Sequence, residues 1–193
     1  MEALALNAGI GIGGVFANDT PLETELRLID LNVRSTVHLA KHVVADMVTT
    51  GRGRVLFTSS IASTMPGAFQ AVYNASKSFV QSFALALALA LALRNELKDT
   101  GVTVTSLMPG PTDTNFFERA DMMDTKVGTG SKDDPAEVAH QGFEALMAGE
   151  ERVVAASVTT KAQGIGSRLM PDGVKAALHR SMAEPGSADD SKS

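Results

Sequence analysis

Cysteine is absent from this 193-residue sequence, and tyrosine occurs only once, at Tyr73. Without cysteine the chain can form no disulfide, no thiolate nucleophile and no cysteine-ligated metal site. His38 and His42 lie four residues apart, but no third ligand is near them, so no metal site is predicted. The sequence also lacks a lysine or arginine cluster and carries a formal net charge of -5, which argues against a nucleic-acid partner.

Long hydrophobic runs and a basic N-terminus are also missing. The apolar run at 83–93 is too short to cross a bilayer, which takes about 20 residues. Glu2 stands where a signal peptide would be basic, so we expect a soluble, cytoplasmic protein without a membrane partner. A hydrophobic content of 44% is enough for one core, which predicts a single domain over 1–183. The polar segment 184–193 is expected to be a disordered tail.

The order of hydrophobic patterns predicts an α/β fold with a parallel sheet. Strands are predicted where apolar or β-branched residues run together, at Ala3–Leu6, Arg54–Ser60, Val102–Leu107 and Arg152–Ala156. Helices are predicted from Thr20 to Met47, from about Asn74 onward, and from Asp134 to Met147, with two weak helices after Thr159. The Ala-Leu repeat through Leu93 alternates like a strand, but alanine and leucine are strong helix formers, so a helix is expected there.

Tyr73 and Lys77 are the most informative pair in the sequence. They lie four residues apart at the start of a predicted helix and therefore share one helical face. A neighbouring ammonium favours the phenolate, so we expect Lys77 to lower the pKa of Tyr73 and make it an acid or base near working pH. Ser60, at the end of the preceding strand, is placed to hydrogen-bond the oxygen that gains or loses this proton.

Four motifs in a fixed order resemble those of the short-chain dehydrogenase/reductase family. They are Asn7-Ala8-Gly9 after the first strand, Asn32 on a helix, Ser60 with Tyr-Asn-Ala-Ser-Lys at 73–77, and Pro-Gly-Pro-Thr-Asp-Thr at 109–114. The resemblance is strong from Ala3 to about Thr114 and loose beyond it. It implies a Rossmann-like domain that moves hydride between NAD or NADP and a small-molecule carbonyl or secondary alcohol.

The resemblance also implies a role for each motif. It implies that Asn32, Ser60, Tyr73 and Lys77 are catalytic, with Asn32 holding a water that relays protons to the lysine. It implies that the cofactor is bound by Asn7, Gly9, Tyr73, Lys77, Pro109, Gly110, Thr112 and Thr114. Asn115 to Met123 then reads as a short mobile helix suited to cover the substrate. A homo-oligomer is one assembly open to the chain, because the helix that bears the tyrosine usually packs in a subunit interface of that family.

The printed sequence departs from the family at its start, because no Thr-Gly-x-x-x-Gly-x-Gly pattern occurs in it. Gly9, Gly11 and Gly14 spell G-x-G-x-x-G, but they open no predicted helix and are interpreted as a loop. We therefore expect an incomplete, second half of a doubly wound domain, with weak cofactor binding and doubtful turnover. A non-enzymatic remnant, or a subunit completed by a partner along the Ala3–Leu6 edge, is the alternative. A serine hydrolase is disfavoured, because Ser59 and Ser60 lie in no G-x-S-x-G motif.

Overall fold

The fold is described by a computed structural model for residues 1–92, 100–155 and 170–188. Within these residues the strands are β1 (Ala3–Leu6), β2 (Gly53–Thr58), β3 (Val102–Leu107) and β4 (Arg152–Val153). They form one parallel sheet in the order β1-β2-β3-β4, with Leu6 opposite Phe57 and Phe57 opposite Ser106. The predicted α/β, parallel, Rossmann-like architecture is confirmed, and β1 lies at an edge as expected.

The helices follow the strands in chain order. They are α1 (Leu22–Ile29), α2 (Ser35–Thr50), α3 (Ala71–Ala92), α4 (Phe116–Arg119), α5 (Lys126–Thr129), α6 (Pro135–Ala148) and α7 (Asp172–Ala183). The single helix predicted from Thr20 to Met47 is divided by a π turn at Asp30–Arg34. Helix α1 begins without a side-chain cap. The hydroxyl of Thr20, just before it, donates to the carbonyl of Phe16 instead.

Helices cover both faces of the sheet, and the alternation along β2 shows how. Val55 and Phe57 are fully buried against a cluster that includes residues of α2 and α3. Leu56 points the other way and packs with Val138 and Leu146 of α6, because successive strand residues face opposite sides. Fully burying side chains of this size contributes about 1.5–3 kcal/mol each, so this layered core positions the strand ends.

The Ala-Leu repeat is helical as far as Ala92, as predicted, and 93–99 lie outside the described residues. Ala84 and Ala88, four residues apart, are buried against the sheet. Leu87 is half-buried beside them, so the small alanines give α3 its close contact with the strands. Helix α3 is therefore firmly packed on the core, and Tyr73 and Lys77 lie in its first turns.

The C-terminal part differs from the prediction in detail. Strand β4 has two residues, and the short helix predicted over 115–123 is reduced to one turn, α4. The first residues of the predicted tail are in contact with the domain: Gly186 N–H donates to the Asp124 carboxylate (2.7 Å) and Ser187 Oγ accepts from Lys126 N–H (3.0 Å). These polar contacts hold Gly186 and Ser187 against the loop before α5. The remaining tail, 189–193, lies outside the described residues.

None of the described helices combines the length and the hydropathy that crossing a bilayer would take.

Candidate active site

The carboxyl ends of β1, β2 and β3 bring the sequence motifs together at one edge of the sheet. The segment Asn7–Gly9 follows β1, Ser60 follows β2, and the turn at 109–114 follows β3. These segments and the first turns of α3 line one cavity of about 860 Å³. The predicted site residues that line it are Asn7, Gly9, Ser60, Tyr73, Lys77, Pro109, Gly110, Thr112 and Thr114. Open parallel sheets bind ligands at this edge, so the location is that of a binding site.

Tyr73 is buried, with 8% of its surface exposed. Burial raises the pKa of Tyr73 to about 12, and a hydrogen bond with the Ser60 side chain partly opposes that increase. The ring of Phe116 on α4 lies against it, with the two ring centroids 5.3 Å apart. The phenol is therefore protonated at neutral pH and is prepared to donate a proton.

Lys77 is buried as well, and its ammonium donates to the backbone carbonyl of Thr58 over 2.9 Å. The Nζ atom lies 6.0 Å from the centroid of the Tyr73 ring. Burial lowers the pKa of Lys77 to about 8. The pKa of Tyr73 is thus raised and not lowered as expected from the neighbouring lysine, because burial is the largest influence on it.

Asn32 lies in the π turn and is almost completely buried. Its Oδ1 accepts from Ile10 N–H (2.9 Å), and its Nδ2 donates to the Ile10 carbonyl (2.9 Å) and to Ser76 Oγ (3.0 Å). The amide thus ties the loop after β1 to α3. The π turn, an arrangement common at functional sites, occurs where the side chain must reach both elements.

Gly9 is closely packed against two side chains of the site. An added Cβ there would lie 3.2 Å from Lys77 Nζ and 3.3 Å from Asn32 Oδ1. The neighbouring Asn7 is held by Thr58, whose hydroxyl donates to Asn7 Oδ1 over 2.8 Å. These contacts gather Asn7, Gly9, Asn32 and Lys77 into one group. The glycines that follow open no helix, since the next helix begins at Leu22.

The turn after β3 is braced by its own side chains and by Asp133. Thr112 Oγ1 donates to the carbonyl of Gly110 over 2.9 Å, and the backbone of Asp133 pairs with Pro111 and Asp113. Thr114 Oγ1 accepts from Phe116 N–H at 3.3 Å, which links the turn to α4. The turn is therefore a fixed wall of the cavity, and α4 follows directly at its end.

Gln70, Phe116, Arg119 and His179 are among the further residues that line the cavity and to which the sequence assigned no catalytic or cofactor-binding role. His179, on α7, is 5% exposed, and its Nε2 lies 3.3 Å from Asn74 Nδ2 on α3. Burial lowers the pKa of His179, so the imidazole is neutral at neutral pH. No local pattern reveals this pair, because the two residues are 105 positions apart in sequence.

Comparison with known proteins shows the family to which the chain is similar. The sequence profile of the short chain dehydrogenases matches residues 1–124. Sulfoacetaldehyde reductase 2 of Chromohalobacter salexigens is 32% identical over 60% of this chain and 44% of its own length. An NADP-dependent 3-hydroxy acid dehydrogenase of Salmonella typhi is 33% identical over 57% of this chain and 42% of its own.

A solved structure shows the same fold. The short-chain dehydrogenase of Sphingobium yanoikuyae in complex with NADPH superposes with a TM-score of 0.69 and 26% identity, covering 89% of this chain and 66% of that one. The chain thus spans less than half the length of the two enzymes compared above. The family profile covers well over half of the chain, in the part that holds the four motifs. On this evidence the chain belongs to the short-chain dehydrogenase family.

Proposed function

We propose that this protein is an NAD(P)-dependent oxidoreductase that transfers hydride between a nicotinamide cofactor and a carbonyl compound or secondary alcohol. One observation carries the proposal. Tyr73, Lys77 and Ser60 meet in a single cavity at the carboxyl ends of three parallel strands, where this family of folds binds its ligands. An acid, a cation and a hydroxyl converging on one space is the arrangement that proton transfer to a carbonyl oxygen needs.

The residues of the cavity fit a nicotinamide cofactor. Gly9 lines the cavity and has no side chain, so a ligand in the cavity can approach its backbone. Asn7 and the turn Pro109–Thr114, through Gly110, Thr112 and Thr114, offer amide and hydroxyl groups along the same wall. We assign these residues to cofactor binding. When bound, the cofactor supplies or accepts the hydride.

Tyr73 is assigned as the general acid. With a pKa raised to about 12 it holds its proton at neutral pH, which suits donation to a carbonyl oxygen as the carbonyl is reduced. Ser60, which hydrogen-bonds the same phenol, orients the substrate oxygen. Lys77 places a cation beside the phenol, and Asn32 positions the loop after β1 and the helix that bears Tyr73.

The two enzymes compared above point to a class of substrate. Sulfoacetaldehyde and a 3-hydroxy acid each carry an anionic group separated by one carbon from the carbon that is reduced or oxidised. One of these enzymes is NADP-dependent. We propose that the substrate of this chain is likewise a short carbonyl compound with a carboxylate or sulfonate one carbon away, and that NADP is the first cofactor to test.

Two measurements on the purified chain test the proposal. Calorimetry measures the binding of NADPH and of NADH, and the loss of NADPH absorbance measures turnover with acetoacetate. Binding of at least one cofactor is expected, with turnover that Tyr73→Phe reduces at least about 100-fold, the lower range for a general acid. The absence of binding for both cofactors would overturn the proposal for this chain.

A second candidate function is favoured by the edge strand. Ala3 and Ala5 of β1 are exposed, and β1 pairs with β2 on one side only. An uncovered parallel edge can pair with another chain, which would make the protein a subunit completed by a partner. Size-exclusion chromatography with light scattering separates the two, since a monomer with a cooperative melt speaks against the partner.

A further inference from the structure

Among the described residues that line the cavity, the ionisable side chains other than the Tyr73 phenol are all basic. They are Lys77, Arg119 and His179, and no described lining residue is an aspartate or glutamate. The contrast with the chain as a whole is clear, because its formal net charge is -5. A cleft with basic walls in an acidic protein concentrates anions, so the cavity is built for a negatively charged ligand.

Among the described basic residues that line the cavity, only Arg119 is available to a substrate. Lys77 is buried and donates to the Thr58 carbonyl. His179 is neutral at neutral pH, and its Nε2 faces the side-chain amide of Asn74. Arg119 is exposed, and within the described ranges its guanidinium forms no ion pair or hydrogen bond. Arg119 is therefore the cation of this cavity with its donors free.

The position of Arg119 relates it to the reacting phenol. It lies on α4 three residues after Phe116, whose ring packs on the ring of Tyr73. One helical turn separates the two Cα atoms by about 5 Å along the axis. The end of the turn is fixed, because Gly13 N–H donates to the carbonyl of Ala120 over 2.9 Å. The guanidinium is thus carried by the same short element that covers Tyr73.

We propose that Arg119 binds the anionic group of the substrate, a carboxylate or sulfonate one carbon from the reacting carbon, while Tyr73 acts on the carbonyl oxygen. The planar guanidinium matches such a group with two parallel hydrogen bonds, which a lysine cannot reproduce. This assignment rests on the proposed function and adds the residue that selects the substrate class. The cofactor phosphates are the competing anions, and the experiment must separate the two roles.

The experiment uses matched carbonyl substrates with NADPH. Acetoacetate carries a carboxylate, 2-oxopropanesulfonate carries a sulfonate in the same place, and methyl acetoacetate is the neutral counterpart. For Arg119→Gln we expect the KM of the preferred anionic substrate to rise about 10- to 100-fold, the loss expected for a charge-assisted hydrogen-bonded pair. The constants for methyl acetoacetate are expected to stay unchanged, and Arg119→Lys to fall in between. Arg52→Gln, at an exposed site paired with Glu2, is the control and is expected to behave as the wild type.

Two results of the kinetic experiment would overturn the assignment. An equal loss with the charged and the neutral substrate would show a structural role, and a raised KM for NADPH alone would show that Arg119 serves the cofactor. A chain that turns over none of the three substrates would count against the proposed function. The assignment of Arg119 would then be decided by acetoacetate binding, monitored through the fluorescence emission of Tyr73, the only tyrosine of the chain. Binding weakened about tenfold by Arg119→Gln supports the assignment. Equal binding by both chains, or none, overturns it.

Discussion

At the scale of single residues, the site depends on how much water reaches one phenol. The sequence was sufficient to bring Ser60, Tyr73 and Lys77 together, because the ends of parallel strands meet at one edge and residues four apart share a helical face. The sequence could not predict the pKa values of Tyr73 and Lys77. These values are set by burial under Phe116 and by the hydrogen bond from Lys77 to the Thr58 carbonyl, both of which depend on tertiary packing.

The pKa of Tyr73 can be measured without interference, because the chain has one tyrosine and no tryptophan. We expect the ultraviolet absorbance of the phenolate to rise with a midpoint near 12 in the folded protein. The same chain in urea should titrate near the ordinary value of about 10. Ser60→Ala is expected to move the folded midpoint still higher, since it removes the hydrogen bond that lowers the pKa. A folded midpoint at or below the urea value would contradict the role of burial.

Gly9→Ala tests the close packing around the lysine. The new Cβ would press on Lys77 Nζ and Asn32 Oδ1, and overpacking of this kind costs about 1–3 kcal/mol. Denaturant unfolding should therefore show a lower free energy of unfolding. Gly173→Ala is the matched control: nothing lies within 4 Å of its added Cβ, so the helix should be unchanged or slightly stabilised. Equal effects of the two substitutions would refute the packing argument.

At the scale of elements, strands and long helices could be predicted well, and short or irregular elements poorly. Strand β3 has the predicted bounds, Val102–Leu107, because its β-branched run ends in clear turn residues. The π turn at Asp30–Arg34 was missed, since its hydrophobic spacing hardly differs from that of an α-helix. Helix α4 was predicted too long, because one helical turn is too short to show a periodicity. Its position over Tyr73 is a long-range contact that no local pattern encodes.

The packing of α4 against Tyr73 and Gly11 can be tested with a double mutant. A Cβ at Gly11 would collide with the ring of Phe116, so Gly11→Ala should push α4 away from Tyr73. Acrylamide quenching of the Tyr73 emission is expected to increase in Gly11→Ala and in Phe116→Ala. Combining them should add little, because the colliding ring is already gone, and contacting residues behave non-additively. Additive increases would show that the two positions act independently. Phe143→Ala, which removes an exposed ring at the far side of the cavity, is the control.

At the scale of the whole molecule, the strands of the sheet differ in how completely other elements cover them. Strand β2 pairs with β1 and β3, and the core clusters cover both its faces. In strand β1, Ala3 and Ala5 are exposed and Leu6 is buried. The sequence predicted the edge position but not which residues of the strand are covered, because an apolar run indicates what a strand prefers to contact and not what covers it. The exposed strand is the part of the fold most open to another chain.

Self-association through β1 is therefore the behaviour that we expect of the isolated protein. A lysine on an edge strand opposes pairing with a second edge, because the charge would have to be desolvated against the approaching strand. Ala3→Lys should shift size-exclusion and light-scattering profiles toward the monomer and leave the circular dichroism spectrum unchanged. Ala177→Lys adds the same charge on an exposed part of α7 and should have no such effect. If both substitutions reduce association equally, net charge and not the edge is responsible. If neither does, the association surface lies elsewhere and the partner-completed candidate loses its structural basis.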